Sequence, residues 1–174
     1  MPWTLAQLNA SDPETFVTVC GPFYEHSPWV ARRVAAARPF ASRASLHEAL
    51  QAAVLGATIE EQLQLIRAHP DLVGRAARAG RLTAASAGEQ EAAGLGDLGP
   101  DEVAAFERYN AAYRERFGFP FVICARENRK EAILAAFPVR LAHSAAAERS
   151  AALAEIGRIA WLRLCDAVAE DSLP

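Results

Sequence analysis

No cysteine pair with C-x-x-C spacing occurs in the 174 residues. Cys20, Cys124 and Cys165 are odd in number and far apart, which argues against a zinc ribbon or a thioredoxin-like redox site. They read as reduced thiols, mostly buried as small apolar side chains, in a cytoplasmic protein. Long apolar runs are missing too. Nothing approaches the ~20 apolar residues of a membrane helix, so no membrane partner is expected. The opening MPWTLAQLNASDPETF lacks the basic-then-apolar order of a signal peptide. The closing Ser172-Leu173-Pro174 is not the Ser-Lys-Leu peroxisomal address. An excess of positive charge is absent: the net charge is -3 and the pI about 5.8, against a nucleic-acid partner. Glycine-rich phosphate loops, the G-x-S-x-G nucleophile turn and the H-E-x-x-H zinc motif do not occur either.

What is present is an ordinary globular balance, 52% hydrophobic and 22% charged. The length suits a single domain over residues 1–174, able to bury a core without disulfide or metal staples. Alanine is the commonest residue and favours helix. Thr58-Ile59-Glu60-Glu61 is a capping box, and its helix should run to about His69, because Pro70 disfavours helical geometry in the residue before it. Pro100 and Asp101 open a helix that Gly118 closes as a left-handed cap. A shorter helix starts at Asn128–Glu131 and should stop at Pro138. The longest runs from Ser144 to about Ala169. Pro28–Ala37 and Leu46–Leu55 also read as helices, and Gly94–Gly99 as a flexible turn. Phe119–Cys124 alone reads as extended. The expectation is an all-α single-domain bundle of about eight helices with one short extended connector.

Four polar constellations stand out. His69-Pro70-Asp71-Leu72-Val73-Gly74 puts a histidine at a helix C-terminus, where it serves either as a cap or as a proton-exchanging group. Ser86-Ala87-Gly88-Glu89-Gln90 carries the Ser-x-x-Glu pattern of a capping box, and a helix start also offers backbone N–H groups to an anion. Gly118–Cys124 is either a hydrophobic plug or an extended backbone whose polar groups could meet a ligand. Arg163 sits in an apolar stretch and must snorkel, pair with a carboxylate or bind an anion. Glu25-His26-Ser27-Pro28 looks like the approach to a helix. A metal site built from His26, His69 and Glu89 has no diagnostic spacing, and no metal is expected.

These pieces in order resemble one family. Glu25-His26-Ser27-Pro28-Trp29-Val30, Arg38-Pro39-Phe40, His69–Gly74, Ser86-x-x-Glu89-Gln90, Phe117–Cys124 and Glu155–Leu164 are together similar to the 2-oxo-4-hydroxy-4-carboxy-5-ureidoimidazoline (OHCU) decarboxylases of urate degradation. The resemblance spans the chain. It implies an all-α, cofactor-free, usually homodimeric enzyme that acts on a small molecule, converting OHCU to (S)-allantoin. By motif position, His69 would be the acid/base group, Glu89 its acidic partner and Arg163 the arginine that fixes the substrate. Ligand contacts would come from Pro70, from Ser86, Ala87, Gly88, Glu89 and Gln90, and from Phe121, Val122, Ile123, Cys124 and Ala125. Trp161 stands where the family often has a small or polar residue, and His143 where it often has asparagine. Two other readings remain: a related enzyme acting on another ureido or imidazoline acid, and a non-catalytic helical ligand-binding module in which His69 and Glu89 are caps.

Overall fold

Short polar signals start most of the helices. In the computed structural model, which describes residues 2–170, Thr4 caps α1 (Leu5–Ala10) and Asp12 caps α2 (Pro13–Cys20), each with its side chain accepting a backbone N–H. Pro13 occupies the first turn of α2, where its missing N–H costs nothing. A 3₁₀ turn (Gly21–Phe23) leads to α3 (Trp29–Val34), then α4 (Arg43–Leu55) and α5 (Ile59–Arg67). The expected Thr58–Glu61 capping box is present at the head of α5. There follow α6 (Arg75–Arg78), α7 (Ala84–Ala92), α8 (Pro100–Phe117), α9 (Lys130–Leu141) and α10 (Ala145–Ala167). The Ser172-Leu173-Pro174 ending lies outside the described residues.

Among the described residues the structure is all-α apart from two two-residue strands, β1 (Trp3–Thr4) and β2 (Val168–Ala169), paired in parallel. No helix among the described residues is long and apolar enough to cross a membrane. Contacts gather in two units: residues 2–68 with 157–170, and residues 69–156. In the first unit, α4 buries Leu46, Leu50 and Val54 at four-residue spacing against α3. Gly157 opens the unit's share of α10. A Cβ there would stand 2.9 Å from the Gln51 side chain, and His47 Nε2 donates to the Gly157 carbonyl at 2.8 Å. Trp161 packs edge-on against His47. Asn9 makes two hydrogen bonds to the Phe40 backbone, and the Arg38 guanidinium lies over the Phe16 ring. These contacts fix the Arg38-Pro39-Phe40 corner.

The second unit is built on aromatic rings. Phe106, Tyr113, Phe119, Phe121 and Phe137 are all buried, with Phe121 stacked on Phe137. Gly118 ends α8 at φ 74°, as expected of a left-handed cap. Beside the rings lies fully buried Glu148. Tyr113 donates to it through its hydroxyl, Arg140 Nε donates at 2.6 Å, and His143 Nδ1 stands 2.9 Å away. His143 thus fills its position with a ring that meets this buried carboxylate. Arg140 also donates to the Val122 carbonyl.

Arg140 explains one correction. Pro138 was expected to stop its helix, but α9 continues to Leu141 with Pro138 inside. A proline deletes one ladder hydrogen bond and crowds the preceding turn. Here it falls in the last turns, where the buried Arg140 anchors draw the helix onward. Helices α1 and α2 and the β1–β2 pair were not expected at all.

Candidate active site

Pro70 has no backbone N–H and biases the residue before it toward extended geometry. Accordingly α5 ends at Arg67 with Ala68 as its cap, two residues short of the expected end, and His69 lies just beyond. The His69 side chain is buried, at 6% exposure, and its Nε2 is shut off from solvent. The loop that follows is gripped from two helices. Arg114 Nε on α8 reaches both carboxylate oxygens of Asp71, at 2.9 and 3.0 Å. Asn110 Nδ2, one turn earlier, donates to the Leu72 carbonyl at 2.8 Å. The Val73 N–H donates to Gln90 Oε1 on α7 at 3.1 Å. Val73 itself has φ 55°, a left-handed conformation costly for a β-branched residue. At Gly74, a Cβ would come within 2.8 Å of the Asp71 Cβ. The grip on residues 71–73 therefore holds a turn the backbone would not choose alone.

Helix α7 overturns one expectation. Ser86 is not its cap. The helix starts at Ala84 and Thr83 is the N-cap, its hydroxyl accepting from the Ser86 N–H at 3.2 Å. Threonine and serine both cap well, and the one three residues earlier wins. The consequence for the backbone-donor reading is direct. The Ser86 N–H is used by the cap, the Ala87 N–H donates to the Thr83 carbonyl at 2.9 Å, and Gly88 lies inside the helix. Glu89 is thereby relieved of any capping duty. Ser86, Glu89 and Gln90, at offsets of three and four, share one helix face, with Ser86 and Gln90 buried and Glu89 half-buried. Replacing Thr83 by Ala should cost about 1 kcal/mol of stability in urea unfolding. Ser86→Ala should leave that cap intact, because the backbone N–H that the Thr83 hydroxyl accepts from is unchanged.

The Phe121–Ala125 segment is non-helical, as expected, and ends in a 3₁₀ turn, Ala125–Glu127, packed against α7. Its backbone is less available than the sequence suggests. The Val122 carbonyl accepts from Arg140, the Cys124 N–H donates to Glu155 Oε2 at 2.8 Å, and the Cys124 carbonyl accepts from Asn128 Nδ2 at 2.9 Å. Burial pushes the Cys124 thiol up to about 11, and the carboxylates of Glu127, Glu155 and Glu89 push the same way. Such a thiol stays protonated at neutral pH and is no nucleophile. Inside the second unit, then, the His69 loop is joined to α7 by the Val73–Gln90 bond, and the turn that ends the 121–125 segment packs against α7.

A cavity of about 610 Å³ in this unit is walled by residues that include Val73, Ala87, Gln90, Glu91 and Asp97, but not Glu89. Arg163 belongs to the first unit. It is 7% exposed, and its Nη1 donates to Glu25 Oε2 at 2.8 Å and to the Pro22 carbonyl at 3.1 Å. Of the three options for an arginine in an apolar stretch, the ion pair is realised. Glu25 was read only as part of the approach to a helix. Its partner lies 138 residues away, and no local pattern announces such a pair. His26 is exposed at φ 47°. Among the described residues, no three His, Cys, Asp or Glu side chains cluster as metal ligands.

The family model described as OHCU decarboxylase matches residues 9–165. The 2-oxo-4-hydroxy-4-carboxy-5-ureidoimidazoline decarboxylase of Haloferax volcanii is 46% identical over 94% of this chain and 95% of its own. That of Amia calva is 43% identical over 94% of each. A crystal structure of (S)-allantoin synthase superposes with a TM-score of 0.77 at 28% identity, covering 97% of this chain; the chain spans 54% of that structure's length. A crystal structure of OHCU decarboxylase in the presence of (S)-allantoin shares the fold, with a TM-score of 0.68 at 20% identity.

Proposed function

The chain belongs to the OHCU decarboxylase family, and from that premise we propose that it decarboxylates OHCU to (S)-allantoin in urate degradation. The observation that carries the reading is the match along nearly the whole chain to decarboxylases of that name. The arrangement of the second unit supports the roles given to its residues.

The chemistry needs little from the protein. When the C–C bond to the carboxylate breaks, carbon dioxide leaves and the electron pair passes into the adjacent ring imine, whose nitrogen takes a proton. The hydroxyl of the resulting enol then loses its proton to become a carbonyl, and one proton is delivered to the ureido-bearing carbon. His69 and Glu89 are the pair that takes and returns the proton. Arg163 fixes the anionic substrate. Pro70, Ser86–Gln90 and Phe121–Ala125 shape the surroundings, which must exclude water and present one face of the carbon. The protein works as a homodimer in the cytoplasm. Family resemblance supports the first, and the free thiols Cys20, Cys124 and Cys165 the second.

Freshly generated OHCU mixed with the protein should give a circular-dichroism signal of (S)-allantoin far faster than the spontaneous reaction. Racemic product at the background rate would overturn the assignment. Turnover of a different ureido or imidazoline acid alone would move the protein to a related reaction, and tight binding without turnover would make it a binding module. Because the substrate supplies its own electron sink, chelator-treated protein should keep full activity. Loss of turnover restored by zinc or manganese would contradict that.

A further inference from the structure

Glu25 takes no part in the chemistry above, yet its residue is only 3% exposed. A carboxylate that deep is expensive unless something nearby compensates it. The chain goes to some length to place it there. Glu25 lies between the Gly21–Phe23 turn and α3. The Tyr24 N–H donates to the Gly21 carbonyl at 3.3 Å, the Ser27 N–H to the Tyr24 carbonyl at 3.0 Å, and the Ser27 hydroxyl to the Glu25 carbonyl at 2.9 Å. At His26 the backbone turns into the left-handed region, which non-glycine residues seldom adopt. The two successive side chains have opposite fates. His26 is 69% exposed, while the Glu25 carboxylate is buried with Oε1 4.0 Å from His26 Nε2 and Oε2 on Arg163.

The contact with Arg163 is specific in form. A single guanidinium nitrogen, Nη1, donates both to the Glu25 carboxylate and to the Pro22 carbonyl, three residues earlier in the same loop. An Nη carries two hydrogens, so two acceptors from one braced loop fix the plane and reach of the group. Misplacing a substrate-holding group by 1 Å can cost about 100-fold in rate.

We infer that Glu25 is a positioning residue, which with the Pro22 carbonyl aims the Arg163 guanidinium at the substrate. The inference rests on the reading of Arg163 as the arginine that fixes the substrate. A pair that merely neutralises a buried charge would show in stability alone. A positioning pair shows in substrate handling, and shows it only while Arg163 is present.

The test is a double-mutant cycle on the full chain with OHCU, using Glu25→Gln, Arg163→Gln and the double variant, with Glu25→Asp beside them. For each, kcat, KM and melting temperature are measured. Glu25→Gln should raise KM about ten-fold or more, with a smaller change in kcat. Glu25→Asp keeps the charge but draws the carboxylate back by one methylene. It should fold and still lose kcat/KM, which keeps the test alive if Glu25→Gln does not fold. The double variant should be no worse in kcat/KM than Arg163→Gln alone. Folded Glu25→Asp with wild-type KM and kcat would overturn the inference, as would losses that multiply in the double variant. Wild-type kcat/KM in Arg163→Gln would instead remove the reading of Arg163 on which the inference stands, and that result needs no Glu25 variant to be seen.

Discussion

Glu89→Gln should fold like the wild type and lose turnover by ~10²-fold or more, the usual scale for removing a general acid or base. The geometry makes this substitution more informative than the sequence alone suggests. Were Ser86 the cap of α7, Glu89 would be the reciprocal member of a capping box, and any loss of function could be charged to a frayed helix. With Thr83 as cap, Glu89 stands well inside the helix and has no cap to maintain. Glutamine matches glutamate in size and helix propensity, so a change within about 0.5 kcal/mol of stability is expected. Only the charge and the ability to accept a proton are removed. Full activity with an unchanged melting temperature would show that the carboxylate is idle in turnover. Loss of activity with an unchanged melting temperature would leave the acid–base role standing.

The sequence could name Glu89 but not its place in the helix, and the reason is physical. Thr83 and Ser86 are both competent caps, and the choice depends on which hydroxyl reaches a backbone N–H two or three residues on. Local signals were readable wherever they were strong and unopposed: the Thr58–Glu61 box, Pro100 at a first turn, Gly118 in its left-handed cap. They failed where a distant group intervened. Pro138 ought to end a helix, but Arg140, held by Glu148 eight residues on and by the Val122 carbonyl, carries the turn past it. The two-residue pairing of Trp3 with Val168 is too short to leave any alternation in the sequence.

The same division applies to the site. The ordered motifs name His69, Glu89 and Arg163 as the proposed site by residue type. The groups that brace the 71–73 loop and Arg163 are invisible in them, because each acts across a long separation. Asn110 reaches Leu72, Arg114 reaches Asp71, and Glu25 reaches Arg163. Asn110 and Arg114 read in the sequence only as polar positions along a helix, and nothing in a helical period distinguishes a clamp from a solvated face.

That clamp decides what to expect of His69→Asn. The substitution should lower kcat by ~10²-fold or more while the protein keeps its fold. The bonds that hold the loop fall on the Asp71 carboxylate, the Leu72 carbonyl and the Val73 N–H, none of which belongs to the His69 side chain. Pro70 continues to restrict the backbone at position 69 whatever side chain stands there. Asparagine is smaller than histidine and still polar, so the site loses the imidazole without gaining an apolar group. What goes is a ring that can carry a proton at one nitrogen and release it at the other near neutral pH. If His69 performs the transfer, kcat falls, the pH–rate profile loses one of its limbs, and KM changes little, since asparagine removes a step rather than a binding contact. If His69 served only the end of α5, the signature would be reversed: a lowered melting temperature with kcat nearly intact. Measuring kcat, KM and thermal unfolding on the one variant separates the two, and a well-folded, fully active His69→Asn protein would return the proton transfer to Glu89 and some other partner.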